Sequence, residues 1–284
     1  LHLLSRRQRQ MCIRDRLLRV SAENKFGKKS QVRLETELRD GKVILSDVYF
    51  TAPFKVMLPF YVRPDYMQVM VLSASAGIME GDDQEFDLHI KENTSMEYLS
   101  QAYEKIHKMK EGMARRHTKI VVEPGAYLKY APLPTIPFKD SAFENSLDIR
   151  LKDRTSRLLF QEILSCGRAA RGEAFAYRFY HNRVSVYQNE ELIYLDNTRY
   201  DPKLFQMEGL GMYEGFTHLL NLVFFHIEKS EDWMGQVRDL LDEREDIEGG
   251  VTRISNGDAA VRILGRSAEA LLKISEDIQN LREV

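Results

Sequence analysis

Residues 32–227 are a succession of short stretches in which apolar side chains alternate with polar ones. In residues 32–38, apolar residues and a threonine alternate with charged neighbours, which is the pattern of a strand with one buried face. Asp40-Gly41 is a strong tight-turn signal, and the apolar pattern resumes directly after it. Similar stretches occupy residues 42–50, 67–73, 86–90, 118–122, 127–130, 146–151, 157–164, 174–180, 183–188, 192–197 and 217–227.

Strands at this spacing, separated by turns rich in Gly, Pro and Asp, predict a mainly β fold. Residues 96–113 are ambiguous, because Met96, Leu99, Tyr103 and Ile106 fall at helical spacing. Periodicity alone predicts a helix there. No repeat of fixed length emerges, so the sequence does not indicate a regular solenoid.

The pattern becomes helical near residue 229. Ser230 is a candidate N-cap for a helix that opens with Glu231 and Asp232 and ends before Gly249-Gly250. Two short strands are predicted at residues 251–254 and 259–264, and Ser267 is the predicted cap of a last helix. We therefore predict a single domain over residues 17–284, with a β body at about 30–228 and a small α/β annex at about 229–284.

Charge is distributed unevenly along the 284 residues. Residues 1–19 carry six arginines and one acidic residue, which leaves 35 basic against 42 acidic residues in the rest. An acidic body argues against nucleic acid as a partner, because phosphate binding needs a basic surface. The apolar stretches are too short to span a bilayer, and there are only two cysteines, Cys12 and Cys166. We expect a reduced, cytoplasmic protein with no membrane segment and a buried thiol at Cys166.

The first sixteen residues look unlike the rest of the chain. Residues 11–16, MCIRDR, resemble translated sequencing-adapter read-through. We interpret residues 1–16 as a non-native or disordered extension, with a genuine basic arm as the alternative. No functional argument rests on them.

Carboxylates are the candidate chemistry, because the sequence contains no P-loop, no G-x-S-x-G and no H-E-x-x-H. Asp82 lies in an acidic, glycine-bearing loop, and Glu162 lies inside an apolar stretch, where a buried carboxylate needs a partner or a role. A few carboxylate oxygens bind a divalent cation weakly, which suits passage. The alternatives are a solvated acidic turn at Asp82 and a structural ion pair of Glu162 or Glu173 with Arg168 or Arg171.

Five segments carry a further signal: GIMEGD (77–82), SQAYEKI (100–106), APLPTIPF (131–138), EILSCGRAARGE (162–173) and GDAAVRILG (257–265). The first four resemble, in the same order and spacing, the G-G-I-x-G-G-D, T-Q-A-x-x-K, L-P-x-x-x-I-P-F and E-I-x-x-x-G-R-x-A-R-G-E motifs of the UreD/UreH family of urease accessory proteins. The fifth resembles the strand before that family's closing helix. Ala76 and Glu80 depart from the first motif, where the family usually has glycine. The residues around Tyr103, Phe143 and Thr217-His218 are similar to its epsilon-proteobacterial branch.

The resemblance implies a non-enzymatic scaffold built as an irregular, β-helix-like stack of many short strands, and it favours strands over a helix at residues 96–113. It also implies a urease maturation factor, a metallochaperone component that binds a UreF-like partner and through it a UreG-like GTPase. The assembly, a 2:2 or 2:2:2 hetero-complex, would dock on apo-urease. No tightly bound cofactor is expected, and Ni²⁺ would be in transit through an internal tunnel.

The resemblance also assigns roles to particular residues. The acidic positions that would line the nickel path are Asp82, Glu162 and Glu173. The residues that would balance buried charge or shape the turns are Arg168, Arg171, Gly167, Gly172 and Gly81. Candidates for the UreF-like contact, with core packing as the alternative, are Tyr213, Phe216, His218 and Trp233. No metal ligand is firmly assigned.

Two functions of other classes stay open. A small-molecule hydrolase would need two of Asp82, Glu162 and Glu173 to converge in a cleft with separated pKa values. A β-rich binding module would have no metal role.

Overall fold

The computed structural model describes residues 19–21, 29–254 and 257–281. Within these residues the fold is mainly β, as predicted, with two α-helices near the C-terminus, α1 (Trp233–Asp242) and α2 (Ala268–Asn280). The predictions for residues 1–16 and Cys12 lie outside the described residues.

In chain order the described strands are β1 (Arg19–Ser21), β2 (Lys29–Arg39), β3 (Lys42–Thr51), β4 (Phe54–Val56), β5 (Phe60–Arg63), β6 (Tyr66–Ser73), β7 (Asp83–Ile90), β8 (Ser95–Gln101), β9 (Glu104–Ile106), β10 (Ala114–Val122), β11 (Tyr127–Tyr130), β12 (Thr135–Pro137), β13 (Ala142–Leu151), β14 (Arg157–Ser165), β15 (Gly167–Arg168), β16 (Glu173–Ala174), β17 (Phe179–Gln188), β18 (Glu191–Tyr200), β19 (His218–Phe225), β20 (Ile247–Arg253) and β21 (Ala259–Gly265).

Two large sheets contain almost all of these strands. The first has the order β1-β3-β2-β7-β10-β13-β17-β18, and the second has the order β20-β21-β19-β14-β11-β8-β6-β4. β5 adds to β6, while β9 and β12 pair beside β14. β15 and β16 pair only with each other in a small hairpin.

Between β6 and β17 the chain passes repeatedly from one sheet to the other. β7, β10, β13 and β17 are parallel neighbours in the first sheet, and β6, β8, β11 and β14 are parallel neighbours in the second. Each pass therefore adds one strand to each sheet. This alternation is compatible with the predicted helix-like stack of short strands.

The main core lies between the two sheets. Strand alternation turns every second side chain inward, so Leu88 of β7, Ile120 of β10 and Leu128 of β11 are fully enclosed. Aromatic rings line the second sheet from inside, with the centroids of Tyr98 and Tyr130 stacked 4.9 Å apart. The core thus rests on contacts between residues that are far apart in sequence.

The annex packs on the outer face of the second sheet. Trp233 and Val237 of α1 and Leu271 and Ile274 of α2 are buried in one cluster with the outward-facing Leu159 of β14. β14 is covered on both faces, which explains its nearly continuous apolar sequence. No helix in the part of the chain that the structure describes is long and apolar enough to cross a membrane.

Two predicted boundaries of the annex are wrong. α1 begins at Trp233 with Asp232 as its N-cap, not at Ser230. Gly249 and Gly250 lie inside β20 and do not end the helical unit. A Cβ atom at Gly249 would lie 2.6 Å from the Arg262 carbonyl oxygen, so glycine permits close strand contact there. The cap at Ser267 is confirmed, because its side chain accepts a hydrogen bond from the Ala270 backbone N–H.

Residues 96–113 contain strands, as the resemblance implies, and the helix predicted by periodicity is wrong. β8 and β9 occupy the first half, with Met96 and Tyr98 buried on the core side. Between the two strands Ala102 has φ of 63°, a left-handed conformation that interrupts any regular element. The strand predicted at residues 174–180 is also wrong, because a turn at residues 175–178 separates β16 from β17. Burial of Cys166 is confirmed.

Leu128 offers a direct test of the core between the sheets. Leu128→Ala is expected to lower the free energy of unfolding by about 2–5 kcal/mol, because the cavity cannot collapse between paired strands. Chemical denaturation would measure this loss. Leu210→Ala is the matched control, since Leu210 is 94% exposed, and its effect should stay within about 0.5 kcal/mol. Equal effects of the two substitutions would contradict the sheet packing.

Candidate functional site

A row of four polar side chains crosses the first sheet at one register. Gln84 of β7 pairs with Arg116 of β10, Arg116 with Asn145 of β13, and Asn145 with Asn182 of β17. We call these four residues the first polar row. Adjacent strands are about 4.8 Å apart, so the row runs along the stack and not along any strand. Gln84 and Asn182 are each only 3% exposed, so the row is internal.

A second polar row faces it from the other sheet. Glu162 of β14 pairs with Asn221 of β19, and Asn221 pairs with Arg262 of β21. The Arg262 guanidinium donates to Asn221 Oδ1 at 2.8 Å and to Asp196 Oδ2 of β18 at 2.7 Å. Asp196 belongs to the first sheet, so this ion pair joins the two sheets at one end of the rows.

Glu162 connects the two rows in the interior. Its carboxylate accepts hydrogen bonds from Tyr180 Oη at 3.0 Å and from Asn182 Nδ2 at 2.7 Å. Asn145 Nδ2 in turn donates to Asn182 Oδ1 at 2.8 Å. Burial raises the pKa of Glu162 to about 7, although the Tyr180 hydroxyl acts in the opposite direction. A carboxyl group with this pKa exchanges protons near neutral pH.

Arg116 is the buried cation of the first polar row. Its Nε and Nη2 atoms donate to Gln84 Oε1 at 2.9 and 2.6 Å, and its two terminal nitrogens donate to both oxygens of Glu104. The guanidinium carbon lies 4.8 Å from the centroid of the Phe86 ring. Burial alone would lower the pKa of Arg116, but the Glu104 carboxylate outweighs burial and raises it. Arg116 therefore stays charged.

Cavities follow the two rows. One, of about 30 Å³, lies between them and is lined by Arg116, Asn145, Glu162 and Tyr180 among others. It exceeds the roughly 10–15 Å³ that one water requires. A second, of about 100 Å³, begins on the other side of Arg116. A cleft of about 550 Å³ opens where Asp196, Asn221 and Arg262 meet. Asn145 Oδ1 is buried without a hydrogen-bond partner among the described residues.

The predicted residue Glu162 belongs to this site, whereas the sequence did not identify Gln84, Glu104, Arg116 or Asn182. A signal for the first row exists in hindsight. In β7, β13 and β17 the row residue is followed two positions along the strand by a buried apolar residue, as with Gln84 before Phe86, whereas in β10 the buried residue that follows is Thr118. The sequence could not show that these positions share one register.

Asp82 lies outside the two rows but close to one end of them. It stands two residues before Gln84, in the turn that leads into β7. Its Oδ2 atom accepts a hydrogen bond from the Met79 backbone N–H at 2.8 Å, and burial raises the pKa of Asp82. Gly81, at φ of 83°, donates its N–H to the Met113 carbonyl and shapes the same turn. Asp82 is half-buried and not a fully solvated turn residue.

Glu173 is paired with Arg168 across the β15–β16 hairpin. Arg168 donates to both carboxylate oxygens, at 2.8 and 2.7 Å, and its guanidinium lies 4.0 Å above the Phe138 ring. The hydrogen bonds from Arg168 lower the pKa of Glu173. This geometry supports the structural ion pair that the sequence left open for Glu173. The ion pair with Arg168 or Arg171 is wrong for Glu162, because its carboxylate accepts hydrogen bonds from Tyr180 and Asn182 instead.

Two glycines shape that hairpin. Arg171 lies exposed at the end of the short 3-10 helix, Ala169–Arg171, that connects β15 to β16. Gly167 has φ of 114°, and a Cβ atom there would lie 2.6 Å from the Glu173 carbonyl oxygen and 2.8 Å from that of Pro137. Gly172 has φ of 71° with open space around it. Of these two glycines, Gly167 is the one at which both backbone conformation and contact require glycine.

The structure does not bring the three predicted acidic residues into one metal site. Within residues 29–254 and 257–281, no three His, Cys, Asp or Glu side chains form a group that could hold a metal ion. The paired-carboxylate hydrolase gains no support either, because the cavity at Glu162 has room for water but not for a substrate of several atoms.

Three of the four residues predicted for partner contact are buried in the chain itself. Tyr213 and Trp233 are each 1% exposed and Phe216 is 8% exposed. Trp233 packs against the Phe224 ring in the annex core. His218 is half-buried, and burial lowers its pKa. These positions support core packing, the alternative that the sequence left open, because a buried ring offers no surface to a partner.

The sequence profile of the family described as UreD urease accessory protein matches residues 28–284. The chain belongs to this family. It is 40% identical over 260 residues to the urease accessory protein UreD of Acetivibrio thermocellus, covering 91% of this chain and 99% of that protein. It is 39% identical over 256 residues to the urease accessory protein UreH of Helicobacter pylori strain P12, covering 90% and 95%. The resemblance drawn from the five segments is confirmed.

Glu162 makes the stability of this UreD-family chain depend on pH. The unfolded carboxyl group loses its proton near pH 4.5 and the folded one near pH 7, so stability falls as pH rises between these values. Glu162→Gln removes this contribution. Denaturant titrations at pH 5.5 and 8.0 should show the variant gaining about 1–3 kcal/mol relative to the parent at the higher pH. If the difference in unfolding free energy between variant and parent is the same at both pH values, the raised pKa of the buried Glu162 carboxyl group is contradicted.

Gly167→Ala and Gly172→Ala test the hairpin of this UreD-family chain. Gly172→Ala should cost about 1–2 kcal/mol of unfolding free energy, the price of a left-handed alanine. Gly167→Ala should cost clearly more, because its methyl group also collides with two carbonyl oxygens. Denaturant titration measures both. Similar losses would show that the hairpin relaxes to accept the methyl group.

Proposed function

We propose that this urease accessory protein is a maturation factor, a non-enzymatic scaffold that passes Ni²⁺ to apo-urease through its interior. The single observation that carries the proposal is the pair of polar rows. They face each other between two sheets whose other inward positions are mainly apolar. Buried polar groups without a full set of partners cost stability and are retained mainly where function requires them. A cation path gives these rows a role.

The chemistry of the rows suits a cation in transit. Their oxygen donors are one carboxylate, Glu162, and the amide oxygens of Gln84, Asn145, Asn182 and Asn221. Hard oxygen ligands hold Ni²⁺ more weakly than imidazole or thiolate does. Row neighbours about 4.8 Å apart let a cation reach the next oxygen before leaving the last. The unpartnered Asn145 Oδ1 is one such free acceptor.

The three acidic residues predicted from the family resemblance differ in the support they have. Glu162 is the carboxylate of the rows themselves. Asp82 stands beside the start of β7, which supports a role at one mouth of the path. Glu173 is held by Arg168 in a hairpin, so its contribution would come from the shape of the surface rather than from contact with the ion.

The proposal includes the partners implied by the family. A UreF-like protein would bind this chain and recruit a UreG-like GTPase that carries nickel, in a 2:2 or 2:2:2 complex in the cytoplasm. The residues predicted for that contact are mostly buried, so the exposed apolar side chains are better candidates. They include Leu58, Phe60 and Val62 on or next to β5, and Leu204 and Leu210 before β19.

Co-expression of the full chain with urease subunits and the UreF-like and UreG-like proteins tests this function. Nickel-dependent urease activity should require the chain and should fall at least tenfold with Glu162→Gln, because the only carboxylate of the rows is then neutral. Glu173→Ala should also lower activation with the fold intact, but by less, because Arg168 already holds that carboxylate in the hairpin. Full activation without the chain would refute the maturation role, and normal activation by a folded Glu162→Gln variant would refute the internal path.

A further inference from the structure

A buried ion pair lies across the proposed path, between its two inner cavities. We propose that Arg116 and Glu104 form a gate there, in which the Arg116 guanidinium is a tethered cation bound where a travelling divalent cation must bind. The inference rests on the proposed function, since a gate needs a path, but it makes a separate claim about two residues that were not among the predicted site residues. Arg116 lies outside the five family segments, and Glu104 occupies a variable position of the second one.

The position of the pair is the first argument. Glu104, Arg116, Tyr130 and Pro132 line both the cavity of about 30 Å³ and the cavity of about 100 Å³. They are therefore the wall between the two spaces. The side chain of Arg116 is 10% exposed and that of Glu104 is 25% exposed. A cation that moves from the larger cavity toward Glu162 has to pass this wall.

The occupancy of the oxygen atoms is the second argument. Arg116 engages both oxygens of Glu104 and the Oε1 atom of Gln84. A carboxylate and an amide oxygen are also the donors that this part of the path could offer a divalent cation. The guanidinium and the cation therefore compete for the same atoms. As long as Arg116 holds them, the path is closed both by occupancy and by repulsion between like charges.

Exchange of one cation for the other opens the gate without leaving a buried charge alone. The divalent cation would take the oxygens of Glu104 and Gln84 while the guanidinium moves onto the Phe86 and Phe143 rings, whose centroids lie 4.8 and 6.0 Å from its carbon. The smaller cavity, with Glu162 and the unpartnered Asn145 Oδ1 as acceptors, then stays open to the ion. After the ion moves on, Arg116 returns to Glu104. Arg116 thus prevents the ion from being trapped.

A second enclosed ion pair provides the matched control. Lys129 and Glu97 lie 2.8 Å apart, with side chains 25% and 7% exposed. Glu97 also accepts hydrogen bonds from Tyr66 and Gln68. Neither residue of this pair lines either of the two inner cavities. A substitution in this pair therefore shows how Ni²⁺ binding and urease activation respond when an enclosed ion pair away from the two cavities is removed.

Equilibrium dialysis of the full chain against NiCl₂ at pH 8 tests the exchange directly. Arg116→Gln removes the tethered cation and leaves the Glu104 oxygens free. The variant should therefore bind one more Ni²⁺ per chain than the parent, and its affinity for that ion should be at least tenfold higher than the affinity of the parent at the same site. The double variant Arg116→Gln/Glu104→Gln should not bind this additional Ni²⁺. The single variants Arg116→Lys and Lys129→Gln should bind no more Ni²⁺ than the parent. A folded Arg116→Gln variant that binds no additional Ni²⁺ would overturn the gate.

If Arg116→Gln does not fold, Glu104→Asp is the substitute, because it weakens the ion pair while keeping both charges. This variant should bind the same additional Ni²⁺ with a smaller gain in affinity.

Urease activation separates the gate from the function on which it rests. In the co-expression assay Arg116→Gln should lower activation at least fivefold because Ni²⁺ is retained at Glu104, whereas Lys129→Gln should not. If the parent chain is dispensable for activation, the maturation role fails, and dialysis still tests the cation exchange. If the parent chain is required and Glu162→Gln lowers activation, but Arg116→Gln matches the parent in both assays, only the gate is wrong.

Discussion

The interior of this protein depends on the register of its parallel strands. β7, β10, β13 and β17 pair without a shift, so side chains at equal positions form rows along the stack. Most rows are apolar, as in the row of Leu88, Ile120, Ile149 and Val186. The same rule that builds the core therefore also aligns Gln84, Arg116, Asn145 and Asn182. A one-residue slip in any strand would turn its member of the row to the outer face and bury a different set of side chains.

A polar row inside a β core is tolerated only when its groups find partners. The second sheet supplies them, because Glu162 accepts from Tyr180 and Asn182, and Arg262 joins Asn221 to Asp196. Asn145 Oδ1 has no hydrogen-bond partner among the described residues, and burial raises the pKa of Glu162 to about 7. Proteins keep such costs where function requires them. The two rows are therefore a weak source of stability, and their cost fits the cation path proposed for them.

The features predicted from sequence separate into those that local chemistry decides and those that it does not. Most of the alternating stretches, the tight turn at Asp40-Gly41 and the cap at Ser267 were confirmed because each depends on neighbouring residues. Residues 96–113 misled the periodicity analysis, since apolar residues at helical spacing here serve two strands joined at Ala102. Trp233 and Tyr213 were candidates for partner contact, yet Trp233 lies in the annex core and Tyr213 is covered by the rings of Phe175 and Tyr200.

The sequence by itself determined the mainly β class, the helical C-terminus and, through five short segments, the family. These follow from local patterns and from motifs whose order is visible along the chain. Only the tertiary structure decided which polar residues meet. Gln84, Arg116, Asn145 and Asn182 are separated by 32, 29 and 37 residues along the chain. Their alignment follows from strand pairing between successive passes of the chain. The pairing of Arg116 with Glu104 and of Glu162 with Asn182 was likewise decided in space, because each contact joins elements whose register no local pattern encodes.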